Sequence, residues 1–111
     1  MDCLFCRIAS KEIPAAVVFE DDNVIAFNDI SPQAPVHILV IPKQHVSSVS
    51  ELKDIEVLKG LFAAAKKIAE EKGIDKTGYR IVVNHGKDAG QAVPHLHFHL
   101  LGGRPLKWPP G

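Results

Sequence analysis

The chain has 111 residues, 46% of them hydrophobic, and 13 basic side chains balance 13 acidic ones. That length provides one domain with a core of its own and not two, and the even charge argues against a disordered chain or a general nucleic-acid-binding surface. No apolar run approaches the ~20 residues of a membrane span, and the first residues lack the basic-then-apolar order of a secretion signal. A soluble, cytoplasmic protein with no nucleic-acid or membrane partner is therefore expected.

Cys3 and Cys6 are the only cysteines. In a reducing compartment a Cys-x-x-Cys spacing favours metal or redox chemistry over a structural disulfide. A thioredoxin-type pair follows a strand and opens a helix, whereas only two residues precede Cys3, so metal is the better reading. Two further ligands must then come from elsewhere in the chain. Val17-Val18-Phe19-Glu20 and Val24-Ile25-Ala26-Phe27 flank Asp21-Asp22-Asn23 and read as a hairpin. Ser31-Pro32-Gln33-Ala34-Pro35 is a loop, because two prolines within four residues exclude both helix and ladder. Val36 to Ile41 is a β-rich run closed by Pro42, which puts His37 at the start of a third strand.

From about Asp54 to Lys72 the pattern has helical period, with Ile55, Leu58, Leu61, Phe62, Ala65, Ile68 and Ala69 on one face. Gly73 is a natural stop. Tyr79 to Asn84 reads as a fourth strand, His85 to Pro94 as a loop, and His95 to Leu101 as a fifth strand. The tail from Arg104 to Gly111 is too rich in proline to be regular. This order implies an α+β fold: a single domain over residues 1–111 with a mostly antiparallel sheet.

The sequence His95-Leu96-His97-Phe98-His99-Leu100-Leu101 carries three of the six histidines. On a strand they project from one face, and Leu96, Phe98 and Leu100 from the other. One reading is a zinc centre with three imidazole ligands, but the Cα atoms of His95 and His99 would stand ~13 Å apart on a strand, against zinc–nitrogen bonds of ~2.0–2.1 Å. A second is phosphate chemistry, in which a neutral imidazole attacks phosphorus and splits one hard hydrolysis into two easier displacements. A third is surface histidines without function. The loop before the row favours the second: Gly86 and Gly90 allow backbone N–H groups to converge on an anion, and Gln91 can donate to a phosphoryl oxygen.

The row resembles the His-φ-His-φ-His-φ-φ signature of the histidine triad (HIT) family of nucleotide hydrolases and transferases. Phe27 to His37, Val40-Ile41-Pro42-Lys43, Gly90-Gln91 and the ending Trp108-Pro109-Pro110-Gly111 are similar to its purine nucleoside phosphoramidase branch, and the likeness runs from about Cys3 to Gly111. The resemblance implies a five-stranded sheet with one long helix and a short N-terminal helix. It also implies a homodimer whose two sheets join into one of ten strands, and hydrolysis of a bond from AMP to an amine without an organic cofactor. By position, His97 would be the nucleophile, His99 a contact to the phosphate and leaving group, and His37 and His95 a relay that orients His97. Asp29 would accept from the ribose hydroxyls. Phe5, Ile8, Phe27, Ile30 and Leu39 would form the slot for the base, although ordinary core explains these apolar residues equally well from the sequence alone. Asn84, Gly90, Gln91 and the backbone of Ala92 would hold the phosphate, and Trp108 would reach towards the partner's site.

Two residues depart from the pattern. Ala92 stands where the family commonly carries a hydroxyl donor, and Pro94 stands where it carries an aromatic residue. Some members of the wider superfamily bind zinc through the positions matched by Cys3, Cys6, His45 and His95, a sound tetrahedral set for a structural ion; His95 would then be a ligand instead of a relay. Cleavage of dinucleoside polyphosphates, or a nucleotide-binding module with weak catalysis, are the alternative functions. His85 and Lys87 have no assigned role.

Overall fold

The computed structural model describes residues 3–111. Five strands form one sheet: β1 (Val17–Glu20), β2 (Val24–Asn28), β3 (Val36–Pro42), β4 (Tyr79–Val83) and β5 (Phe98–Gly102). They lie in the order β1-β2-β3-β5-β4, and every neighbouring pair is antiparallel. Helix α1 (Leu4–Ala9) opens the described chain, and α2 (Glu56–Lys72) and the single turn α3 (Ile74–Thr77) join β3 to β4. The α+β architecture expected from the sequence is present. Among the described residues no helix is long and apolar enough to cross a membrane.

The two faces of the sheet are covered by different partners. On one, Val24, Ala26, Ile38, Val40, Leu96, Phe98 and Leu100 pack against Leu61, Ala64, Ala65, Ile68 and Ala69 of α2. On the other, Ile25, Phe27, Leu39 and Ile41 meet Cys3, Phe5 and Ile8 of the N-terminal segment. Burial on both faces is why β3 reads as one unbroken apolar run, with Ile38, Val40 and Ile41 at 0% exposure.

Three expectations need correction. The helix starts two residues later than its periodicity suggests, and Ile55 and Phe62 are 70% and 52% exposed, although the Phe62 ring still meets Phe98 edge-on. Ala64 takes a place in the buried stripe instead. The histidine strand starts at Phe98 and not at His95. Pro94 has no N–H, His95 N–H donates to Val93 O, and Leu96 N–H donates to Val46 O at 2.6 Å. Residues 95–97 are thus held by the loop after β3, and the ladder with β3 begins only at the pair Val40–Phe98.

Candidate active site and metal cluster

The alternation of residues 95–100 survives this change. Leu96, Phe98 and Leu100 enter the core under α2, and the histidines face the side covered by α1. That side is not open: His95 is fully buried, and His37 and His97 are buried too. His97 is oriented by main chain. Its Nδ1–H donates to the carbonyl of His95 at 2.7 Å, so its neutral form keeps the lone pair on Nε2, where none of the described residues is bonded. The Phe5 ring stands edge-on at 5.2 Å between centroids, and the His99 ring lies 5.0 Å away.

His37, at the start of β3, faces His99 and not His97. The protonation pattern of the pair follows from one backbone group. Gln33 N–H donates to His37 Nδ1 at 3.0 Å, so the proton of neutral His37 resides on Nε2. That Nε2–H lies 2.9 Å from His99 Nδ1 and 3.4 Å from Asp29 Oδ2. His99 therefore accepts at Nδ1 and carries its own proton on Nε2, the atom left for a ligand. Burial, followed by the adjacent His97 and His37, pushes the pKa of His99 down to about 4 against the pull of Asp29. Burial lowers that of His37 as well. The pair is neutral at pH 7.

His95 contributes its ring elsewhere. Its Nδ1 lies 3.3 Å from Cys3 Sγ, 3.5 Å from Cys6 Sγ and 3.2 Å from His45 Nδ1, and Cys6 Sγ lies 3.3 Å from His45 Nδ1. With zinc–sulfur bonds of ~2.3 Å and zinc–nitrogen bonds of ~2.0 Å, the edges of a tetrahedron are ~3.5 Å for S···N and ~3.3 Å for N···N. These four edges match a zinc tetrahedron within a few tenths of an ångström, and all four donor atoms lie within 4.8 Å of one another. The outer bond agrees: His95 Nε2–H donates to Pro42 O at 2.8 Å, which leaves the Nδ1 lone pair for the ion. Without a cation, burial and the neighbouring Cys3 push the Cys6 thiol up to about 11, so it keeps its proton at pH 7. Asp29, His37 and His99 also bring three donor atoms together, but the Gln33 N–H commits His37 Nε2 to a proton, so that group is built as a hydrogen-bond chain.

The remaining candidates are distributed unevenly. Phe5, Ile8, Phe27 and Leu39 are buried in the second core cluster, and Phe5 and Phe27 pack edge to face at 5.6 Å. Ile30 is fully exposed beside them in sequence, next to Asp29, whose Oδ1 accepts from Ser31 N–H. Asn84 is half-buried just after β4. Gln91 is not free to donate: its amide gives both protons to Ser47 O and Val93 O, and its Oε1 accepts from Gly86 N–H. Gly90 N–H is likewise committed, to Lys87 O. Ala92 is exposed at the rim of an open recess of about 710 Å³ lined also by Ser48, His85, Lys87 and Pro94. Within it His85 Nδ1 and the Ser48 hydroxyl are hydrogen-bonded at 2.8 Å. Trp108 is 81% exposed in the tail.

Sequence reasoning missed the carbonyls of His95 and Pro42 and the N–H of Gln33, because a main-chain group leaves no residue-type signature. Comparison with known proteins accords with this geometry. The HIT domain matches residues 10–106. A 14 kDa zinc-binding protein of Brassica juncea is 49% identical over 99% of this chain and 100% of its own. The crystal structure of a HIT family hydrolase from Legionella pneumophila superposes with a TM-score of 0.97 at 52% identity, covering 99% of this chain and all of the other. A histidine triad protein from Clostridium difficile gives 0.94 at 50% identity over 96% and 95% of the two chains. The chain belongs to the HIT family and has the fold of its hydrolases.

Proposed function

We propose that the protein is a purine nucleotide hydrolase that cleaves AMP–amine bonds through a nucleotidyl-His97 intermediate. The observation that carries this reading is the opposite protonation of two adjacent rings. His97 offers a lone pair at Nε2, and His99 offers an N–H at the same ring position. His97 Nε2 forms a bond to phosphorus as the P–N bond breaks. An anionic phosphoryl group beside His99 favours its charged form, so a proton taken up with the substrate passes from His99 Nε2 to the leaving nitrogen and the ring returns to neutrality. His37 Nε2–H has Asp29 Oδ2 as its alternative acceptor meanwhile. Water then attacks phosphorus, passing a proton to the Nε2 lone pair that His99 has just freed, as the bond from phosphorus to His97 breaks and AMP leaves.

In this reading Ile30 and the edges of Phe5, Ile8, Phe27 and Leu39 receive the base, and Asp29 the ribose hydroxyls. Asn84, Gly90 and the Ala92 backbone lie along the phosphate, and Gln91 shapes that loop. Bound through Cys3, Cys6, His45 and His95, zinc supplies a structural cross-link between α1 and the segment before β5. A homodimer joined along the β4 edge, where Tyr79 and Val83 are each 39% exposed, makes a ten-stranded sheet and brings Trp108 to the partner's site. A cytoplasmic location agrees with free thiols at a metal site.

The test is to quench the protein during turnover of adenosine 5′-phosphoramidate and measure its mass. Wild type should gain one AMP on the peptide containing His97, and His97→Ala should bind AMP but neither gain the adduct nor turn over. Normal hydrolysis by His97→Ala would overturn the assignment, and preference for a dinucleoside polyphosphate would transfer it to the related reaction.

A further inference from the structure

We infer that Arg104 is a positioning residue for the reaction, acting through the Gln33 main chain to fix which nitrogen of His37, and hence of His99, bears a proton. The inference rests on the role given to His99 above. Arg104 lies just beyond β5. Its Nε and Nη2 both donate to the carbonyl of Gln33, at 3.2 and 2.7 Å, and its Nη1 donates to Pro105 O at 2.9 Å. All three guanidinium nitrogens are used on main-chain carbonyls, and two of them form a fork on a single oxygen. A lysine, with one compact charged head, cannot reproduce that fork.

The gripped residue is the one that sets the hydrogen-bond chain. Gln33 N–H holds His37 Nδ1 as an acceptor, while Arg104 holds the same residue from its carbonyl side. The loop's other hydrogen bonds are local, Gln33 Nε2 to Ser31 O and Ser31 N–H to Asp29 Oδ1, and Pro32 and Pro35 add no N–H groups. The hold is reinforced next door: Gly103 has φ +91°, and a Cβ there would lie 2.9 Å from Pro35 Cβ. The end of β5 and the loop before β3 are thus in close contact, with glycine needed at the point of approach.

Releasing Gln33 changes the chemistry and not only the stiffness of the loop. Without the Gln33 N–H, His37 is free to carry its proton on Nδ1, and its Nε2 lone pair then faces His99 Nδ1. His99 must answer with a proton on Nδ1, which leaves a lone pair on Nε2. In the resting protein the group facing the substrate is inverted from donor to acceptor, and the charged His99 formed on substrate binding gains His37 Nε2 as an acceptor for its Nδ1–H, which makes it a weaker acid towards the leaving nitrogen. His97 is untouched by this, since its own orientation comes from the His95 carbonyl on a different segment.

Two substrates separate these effects. Adenosine 5′-phosphoramidate expels an amine that requires a proton, and the 4-nitrophenyl ester of AMP expels an anion that does not. Arg104→Ala should lower kcat on the phosphoramidate ~10- to 100-fold, less than the ~10²–10⁴-fold of losing a general acid outright because His99 is weakened and not removed, and change kcat on the ester by less than ~2-fold. Arg104→Lys should recover only part of the loss, and AMP affinity should hold. Equal losses on both substrates, or none, would overturn the inference. Nitrogen-15 shifts of wild type at pH 7 provide a measurement that needs no variant: His37 should be protonated on Nε2, and a proton on Nδ1 refutes the chain. His99→Ala keeps the two readings apart. If it does not discriminate between the substrates, the role of His99 fails whatever Arg104 does. If it discriminates and Arg104→Ala does not, only the role of Arg104 fails.

Discussion

Stripping the metal should uncouple α1 from the sheet and lower the melting temperature by an amount that can be worked out. Helix α1 has six residues, far short of the ~12–15 that an isolated helix needs in water. It is held by Phe5 and Ile8 in the second cluster and by Cys3, whose Sγ accepts from Cys6 N–H at the helix start. A ligand at a hundredfold excess over its Kd stabilises the folded state by ~2.7 kcal/mol. With ~2.1 cal/mol/K of unfolding entropy per residue, 111 residues give ~0.23 kcal/mol/K, so removal should lower Tm by ~12 °C. The assay is thermal unfolding followed by circular dichroism at pH 7.5, with zinc and with a chelator, on wild type and on Cys6→Ala. Wild type should fall to the temperature of the variant, and the variant should not respond to the chelator. Hydrogen exchange should show the loss concentrated in α1 and residues 95–97 and absent from α2. A protein carrying one zinc whose melting ignores the chelator would refute the reasoning.

Acid should destabilise the fold well before carboxylates protonate. Buried His37 and His95 and half-buried His99 all have lowered pKa values, that of His99 about 4, whereas unfolded histidines bind protons near ~6.5. Stability is therefore complete above about pH 6.5 and falls as the pH drops towards 4, because the unfolded chain takes up protons that the folded one refuses. The share of His99 has an upper limit of ~3 kcal/mol, reduced because its ring is partly exposed and water screens it. Urea midpoints between pH 7 and 4 should decline, less so in His99→Gln; a flat profile contradicts the account. Gln91→Leu should cost ~1–3 kcal/mol by leaving Gly86 N–H, Ser47 O and Val93 O without their partner. A change below ~0.5 kcal/mol, the size of an ordinary surface substitution, would show that the loop does not depend on this amide.

The chain's alternation was enough to place the histidines and the leucines on opposite faces, because side-chain direction in an extended segment depends on local geometry alone. It could not show where the ladder begins, which depends on the carbonyl of Val46, fifty residues away in sequence from Leu96. The Cys-x-x-Cys pair signalled a metal, and the likeness to the HIT family supplied His45 and His95; three-dimensional contact brought the four donor atoms within bonding range of one ion. His37 was visible as a candidate, but its partner was not. Assigning it to His99 required the cross-strand register of β3 and β5. The direction of the hydrogen-bond chain was hidden altogether, since the Gln33 amide that sets it would be the same amide in almost any residue.

His95 carries its two duties on different atoms. Its imidazole reaches the cysteine cluster, and its peptide carbonyl orients His97. Mutagenesis can reach only the first of these, because every substitution at position 95 retains the carbonyl. The two functions are therefore genetically separable at a single residue. A chain that lost its cysteines could exchange the imidazole for another side chain of similar volume and still hold its nucleophile in place.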